Sequence, residues 1–162
     1  MSGVTRVTQA LCVVSFAMLA GQVWAQERPG YGPSIGIAAA KKVAAGALAE
    51  ARKNNWNMAI AVVDNYGFLV YYEKMDDTQS ASALIAIEKA RTSAMFRRPT
   101  KVFTDTVAKG GGGVAIMGLP GVTPNTGGVP IMSGGKVIGG IGVSGATGDQ
   151  DEQVAIVGAK SL

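Results

Sequence analysis

The 162-residue chain contains no histidine and a single cysteine, Cys12. The first absence excludes Ser-His-Asp and Cys-His catalysis and every histidine-ligated zinc or haem. The second excludes all-cysteine zinc sites, iron–sulfur clusters and an intrachain disulfide. Proline is scarce, with six residues against 23 glycines, and no G-X-Y period appears, so the chain is not collagen-like. Charge is thin as well. Charged residues make up 16% of a chain that is 48% apolar, which is too hydrophobic for a disordered protein. The length suits one domain.

Residues 1–25 read as a secretory signal peptide. Arg6 is the sole charge before Glu27, an apolar run spans Ala10 to Ala20, and Val23-Trp24-Ala25 places small residues around a cut before Gln26. That run is too short for a membrane span, so none is expected once the leader is cleaved. Cys12 lies inside it, which leaves the mature chain without a thiol. The expected location is therefore periplasmic or extracellular, and a thiol-free chain suits an oxidising compartment. Loss of Arg6 lowers the formal charge from +4 to +3. The remaining cations form pairs such as Lys41-Lys42, Arg52-Lys53 and Arg97-Arg98, not a patch interleaved with aromatics, so nucleic acid is not an expected partner.

Residues 26–33 read as a flexible Pro/Gly lead, and residues 34–162 as the domain. An alanine-rich helix is expected from Ser34 to about Asn54. Ser34 caps it, Ile37, Ala44, Leu48 and Ala51 share one face, and Asn54-Asn55 closes it. Met58–Val63 and Phe68–Met75 form a hairpin around the turn Asp64–Gly67. A second helix covers Ala81–Met95, and Thr100 caps a short one from Lys101 to about Ala108. After the glycine run 110–113, Val114–Met117 reads as a short strand. Val129–Met132 and Val137–Ser144 form a second hairpin around Ser133–Lys136. A last helix spans Asp149–Lys160, capped by Asp149 with Glu152 three residues on. Two hairpins without strand–helix–strand alternation predict an α+β fold. It is an antiparallel sheet with flanking helices, a profilin-like or PAS-like sandwich, and its strands are apolar enough to be covered on both faces.

Few motifs carry chemistry. Gly140-x-Gly142-x-x-Gly145 spells a dinucleotide fingerprint, but its first two glycines lie inside a strand and no second parallel strand follows. Its expected role is close approach of another element to the sheet. Ser133-x-x-Lys136 needs a helical turn to pair its side chains, and a Gly-Gly hairpin provides none. Asp149, Asp151 and Glu152 lack calcium-loop spacing and read as favourable charge at a helix N-terminus, so no metal site is expected. Asp64 is either a turn former or a carboxylate at a pocket mouth. Lys89 and Arg91 are either a solvated face or cations that reach a ligand carboxylate.

Three blocks occur together: Ile60–Asp64 with Gly67 and Lys74-Met75-Asp76; Glu88–Ala94 followed by Thr100; and Gly127–Ile131, Gly139–Gly145 and Gln150-Asp151-Glu152. In this order the chain resembles the GlcG/HbpS family of small haem-binding or haem-degrading-type domains over about residues 35–159. The resemblance implies an antiparallel sheet with flanking helices and a symmetric homo-oligomer. It implies haem as a cofactor in some members, with a threonine at the haem in at least one. Other members sit in catabolic pathways for small organic acids. With no histidine and no cysteine in the mature chain, an axial ligand would be a Tyr, Met or Lys, or an oxygen of Thr, Asp or Glu, and Tyr71, Tyr72, Met75, Met117 and Met132 are available.

Three readings stand at this point. The first is a secreted small-ligand module that holds haem or another flat acidic molecule, with Lys89 and Arg91 on its carboxylates and Thr92 or Thr100 as an oxygen contact. The second is a cofactor-free enzyme on a small oxo or hydroxy acid, with Asp64 as the catalytic proton carrier. The third is an oligomeric scaffold without catalysis.

Overall fold

The computed structural model describes residues 27–162; the expected signal peptide lies outside the described residues. Helix α1 (Ile37–Lys53) precedes strands β1 (Ala59–Asp64) and β2 (Leu69–Lys74). Helices α2 (Ser82–Phe96) and α3 (Lys101–Ala108) follow, then strands β3 (Gly128–Ser133) and β4 (Lys136–Ser144) and helix α4 (Gly148–Lys160). The four strands form one antiparallel sheet in the order β2-β1-β4-β3, so the two hairpins meet along β1 and β4. This is the expected α+β sandwich. Among the described residues no helix is long and apolar enough to cross a membrane.

The sheet has one face of large side chains and one of small ones. Strand alternation sends Ile60, Val62, Ile141 and Val143 to one side, where they pack with Val43, Ala44, Ala47 and Leu48 of α1 and Val154 and Ala155 of α4. On the other side Ala59, Ala61 and Val63 meet Ala86, Ala90 and Ala94 of α2. Gly140 and Gly142 lie under the same helix: a Cβ on either would run into the backbone carbonyl of Ala90 or Ala86. The fingerprint glycines therefore let α2 rest on the sheet almost backbone to backbone.

Several local expectations shift. The N-cap of α1 is Gly36, with no side-chain cap. Ser34 lies two residues too early, and its hydroxyl donates to the Asn65 side chain instead. Ile37 is exposed, and Val43 and Ala47 take its place in the buried face. Asn55, at φ 56°, closes the helix as expected. The cap of α4 is Thr147, not Asp149: Gln150 N–H donates to the Thr147 hydroxyl, and Thr147 N–H donates to Gln150 Oε1 at 3.1 Å. Thr100 precedes α3 but makes no side-chain cap there. Val114–Met117 belongs to a 3₁₀ helix, Gly111–Gly118, not to a strand. Gly110 and Gly111 turn the chain at φ 68° and 54°, and Gly113 folds back onto the Thr106 carbonyl closely enough to exclude a Cβ.

The described part of the lead, residues 27–33, makes contacts of its own with the domain. Gly32 N–H donates to Val137 O at 2.8 Å, and Val137 N–H donates to Gly30 O at 2.9 Å. Residues 30–32 thereby continue the line of β1 beside β4, beyond the Asp64–Gly139 pair where β1 ends. Asn65 Nδ2 donates to Gly32 O at 2.7 Å, which ties the first hairpin turn to the same segment.

Candidate functional site

Lys89 lies on the sheet-facing side of α2, and its side chain is 1% exposed. Its ammonium is 2.7 Å from Asp151 Oδ2 and donates to Val143 O at 3.0 Å. The other carboxylate oxygen of Asp151 accepts from Ala146 N–H at 3.1 Å. Gly127, at φ 124°, makes room for the pair, since a Cβ there would stand 2.7 Å from Asp151 Cβ. Burial pulls the Lys89 ammonium below its ordinary range and pushes the Asp151 carboxyl above its own, while mutual pairing opposes both shifts. The bond joins α2 to α4 across the end of β4 and consumes both charges.

The other expected site residues occupy separate places. Arg91 is on the exposed face of α2, with Nη1 3.0 Å from Glu88 Oε1. Thr92 is buried; its hydroxyl donates to Gly121 O and accepts from Thr123 N–H, both at 2.9 Å, and so pins the long loop before β3. Thr100 is buried too, and takes both backbone groups of Gly128. Its hydroxyl accepts from Gly128 N–H, and its own N–H donates to Gly128 O, each at 2.9 Å. Asp64 Oδ1 accepts from Tyr66 N–H and Phe68 N–H at 2.9 Å, the geometry of a turn-forming aspartate. Asp64 and Lys89 do not meet. Asp64 sits opposite Gly139, whereas Lys89 reaches Val143, which pairs with Ile60 at the far end of β1. Among the described residues no group of three or more His, Cys, Asp or Glu side chains is placed to hold a metal.

A different set of cations borders open space. α2 ends at Arg97, which adopts φ 55°, ψ 41° in the position where glycine is usual. Arg98 N–H donates to Ser93 O, and Pro99 then prevents the helix from continuing. The left-handed conformation costs a non-glycine residue about 1 kcal/mol or more. In return the turn places two consecutive arginines in the lining of one cleft of about 620 Å³. Arg28 lines the same cleft, whose apolar walls are Val102 of α3 and Val129, Pro130 and Met132 of β3. Arg97 Nη1 donates to Pro29 O at 3.1 Å, and its guanidinium lies 5.1 Å from the centre of the Tyr31 ring. Arg98 lies over Phe103 at 5.5 Å. None of the ion pairs formed among the described residues uses Arg28, Arg97 or Arg98.

A larger cleft of about 800 Å³ shares Val129, Pro130 and Met132 with the arginine-lined one and extends to Ile156, Ala159 and Leu162, with Lys160 as its single cation. The smaller cleft has the richer chemistry: three arginines and one carboxylate, Glu27, around aliphatic walls, a net positive lining. The sequence shows Arg97-Arg98 only as a charge pair. The signal it does contain is their place, between the last alanine of a buried helix face and a proline.

The model of the family described as haem degrading protein HbpS-like matches residues 35–160. The chain belongs to this family. Protein GlcG of Escherichia coli K12 is 44% identical over 105 residues, which cover 65% of this chain and 77% of GlcG. The crystal structure of HbpS is 32% identical and superposes with a TM-score of 0.74, covering 81% of this chain and 92% of that one. The PduOC–haem complex is 23% identical, with a TM-score of 0.72 over 80% of this chain and 95% of that one, and shares the fold. The family thus agrees with the GlcG/HbpS resemblance carried by the motifs.

Proposed function

We propose that this HbpS-like protein is a small-ligand-binding module that holds haem or a similarly flat, acidic molecule in the cleft between the end of α2, α3 and the edge of β3. The observation that carries this reading is the convergence of Arg28, Arg97 and Arg98 on one apolar-walled cleft. Guanidinium groups match carboxylates through paired N–H donors, and aliphatic walls accept the face of a ring system. The family description and a haem complex of the same fold support haem as the first candidate.

The residues present fit that group. Arg97 and Arg98 would hold its propionates, Val102, Val129 and Pro130 would cover the ring, and Met132 is the one sulfur among the cleft residues. Bound haem would supply its own iron chemistry. The chain's part is to bind, orient and shield it. Thr100 enters as the anchor of Gly128, which sets where the edge of β3 lies. In this reading Lys89 and Thr92 hold the scaffold of the site and Asp64 its neighbouring turn.

A haem titration of residues 26–162, followed at the Soret band, tests the proposal. We expect saturation at one haem per chain, and a loss of affinity of tenfold or more in the Arg97→Ala, Arg98→Ala double variant. Non-saturating association in the parent protein would overturn the reading. The apolar N-terminal run supports export of the mature chain to the periplasm or beyond. Mass spectrometry that found Gln26 as the first residue of the exported protein would bear this out. The family resemblance also favours association into a symmetric homo-oligomer, which light scattering measures.

A further inference from the structure

The segment that leads into the domain is held at the same cleft by contacts of its own. Glu27, Arg28 and Pro29 form one of its sides. Four independent ties set that side in place. Arg97 donates to Pro29 O. The Tyr31 hydroxyl donates to Met95 O at 2.7 Å, on the last turn of α2. Backbone bonds join residues 30 and 32 to Val137, and Asn65 donates to Gly32 O. A Pro/Gly-rich segment ahead of a domain is ordinarily loose unless it is fastened, and this one is fastened to the sheet, to the first hairpin turn and to the end of α2. The Tyr31 ring also lies against the Arg97 guanidinium, which orients that group while only one of its five N–H donors is spent on Pro29.

We infer that the lead Glu27–Tyr31 is a built wall of the cleft, and that Arg28, placed there by the Tyr31–Arg97 strap, selects ligands with a second acidic group over mono-acids and esters. This rests on the binding reading given above. Arg97 and Arg98 stand side by side in sequence at the end of α2, whereas Arg28 reaches the cleft from the lead. One acidic group is satisfied by the Arg97-Arg98 pair. A second, elsewhere on the same flat body, meets Arg28. Tyr31 acts as a positioning residue, since it holds the lead and Arg97 without lining this cleft.

The test compares haem with its monomethyl and dimethyl esters on the parent protein, Arg28→Ala and Tyr31→Phe. The parent is expected to bind the diacid at least tenfold more tightly than the monoester. In Arg28→Ala that ratio falls to near one. Arg28 is exposed, so the variant keeps the fold. Tyr31→Phe keeps the ring and loses the bond to Met95 O; it is expected to lower the diacid-to-monoester ratio and to speed hydrogen exchange at the Gly32 amide. A parent that binds haem saturably, with an Arg28→Ala variant that discriminates equally well, would overturn the role of Arg28 and narrow the binding reading to Arg97 and Arg98. An unchanged Gly32 exchange rate and ratio in Tyr31→Phe would overturn the strap. Failure of the parent to bind all three compounds would overturn both readings.

Discussion

Lys89 and Asp151, 62 residues apart in the chain, form a buried ion pair at 2.7 Å that locks α2 to α4 over the end of β4. Removing one partner leaves the other charged in a place without water. Lys89→Met is therefore expected to cost about 3–5 kcal/mol of stability. Lys89→Met combined with Asp151→Asn should recover a good part of that loss, because the amide oxygen still accepts from Ala146 N–H and no lone charge remains. Urea unfolding of the two variants measures the difference; a double variant as unstable as the single one would contradict the account.

Tyr72 gives the clearest pH dependence. Its hydroxyl is buried with no partner among the described residues, and burial raises its pKa above the ordinary value of 10.0. The folded chain thus keeps this proton at a pH where the unfolded chain releases it. Its contribution is fully present below pH 10.0 and is lost as pH rises through the raised value. Tyr72→Phe should weaken the fall in stability between pH 8 and pH 11, and at neutral pH should cost less than about 1 kcal/mol, since no hydrogen bond is lost. Equal alkaline slopes for the two proteins would refute this.

Gly142→Ala tests the packing of α2. The added methyl would meet the Ala86 carbonyl and the Ala90 amide, both backbone and neither able to swing aside. The expected loss is about 3 kcal/mol, at the upper end for overpacking. Thermal unfolding reads it, and a fall in Tm of less than a few degrees would mean that α2 stands off further than the structure places it.

Arg97→Gly separates stability from binding. Glycine relieves the left-handed strain at φ 55° but forfeits the bond to Pro29 O. These effects oppose one another, so stability should stay within about 1 kcal/mol of the parent. Haem affinity should fall about tenfold, equivalent to ~1.4 kcal/mol. Denaturation and titration on the same preparation would show whether the two properties divide in this way.

Much of the fold is legible in the chain. The strand run Ile60–Val63 and the alternation of Gly140 and Gly142 with Ile141 and Val143 encode a sheet with unequal faces, and Asp64, Gly67, Gly134 and Gly135 write its two tight turns. The capping residues are less legible, because Ser34 and Asp149 have suitable chemistry and each lies two residues from the true cap. The site is the least legible part. Lys89 looks like a cation available to a ligand until α4 brings Asp151 against it, a contact with no local signature. Conversely, Arg28 and Arg97 are 69 positions apart, and only the fastening of the lead beside β4 gives them a common cleft.

The two faces of the sheet should also age differently as sequences diverge. Where α1 and α4 pack, a larger residue at one position can be exchanged for a smaller one opposite, because side chains fill the gap. Beneath α2 there is no such exchange: glycine and alanine bring main chain against main chain, and the separation is set by van der Waals contact between backbone atoms. The end of α2, with Arg97 and Arg98, is thus carried at a fixed height above β4, and drift across the rest of the core can proceed without moving the cleft.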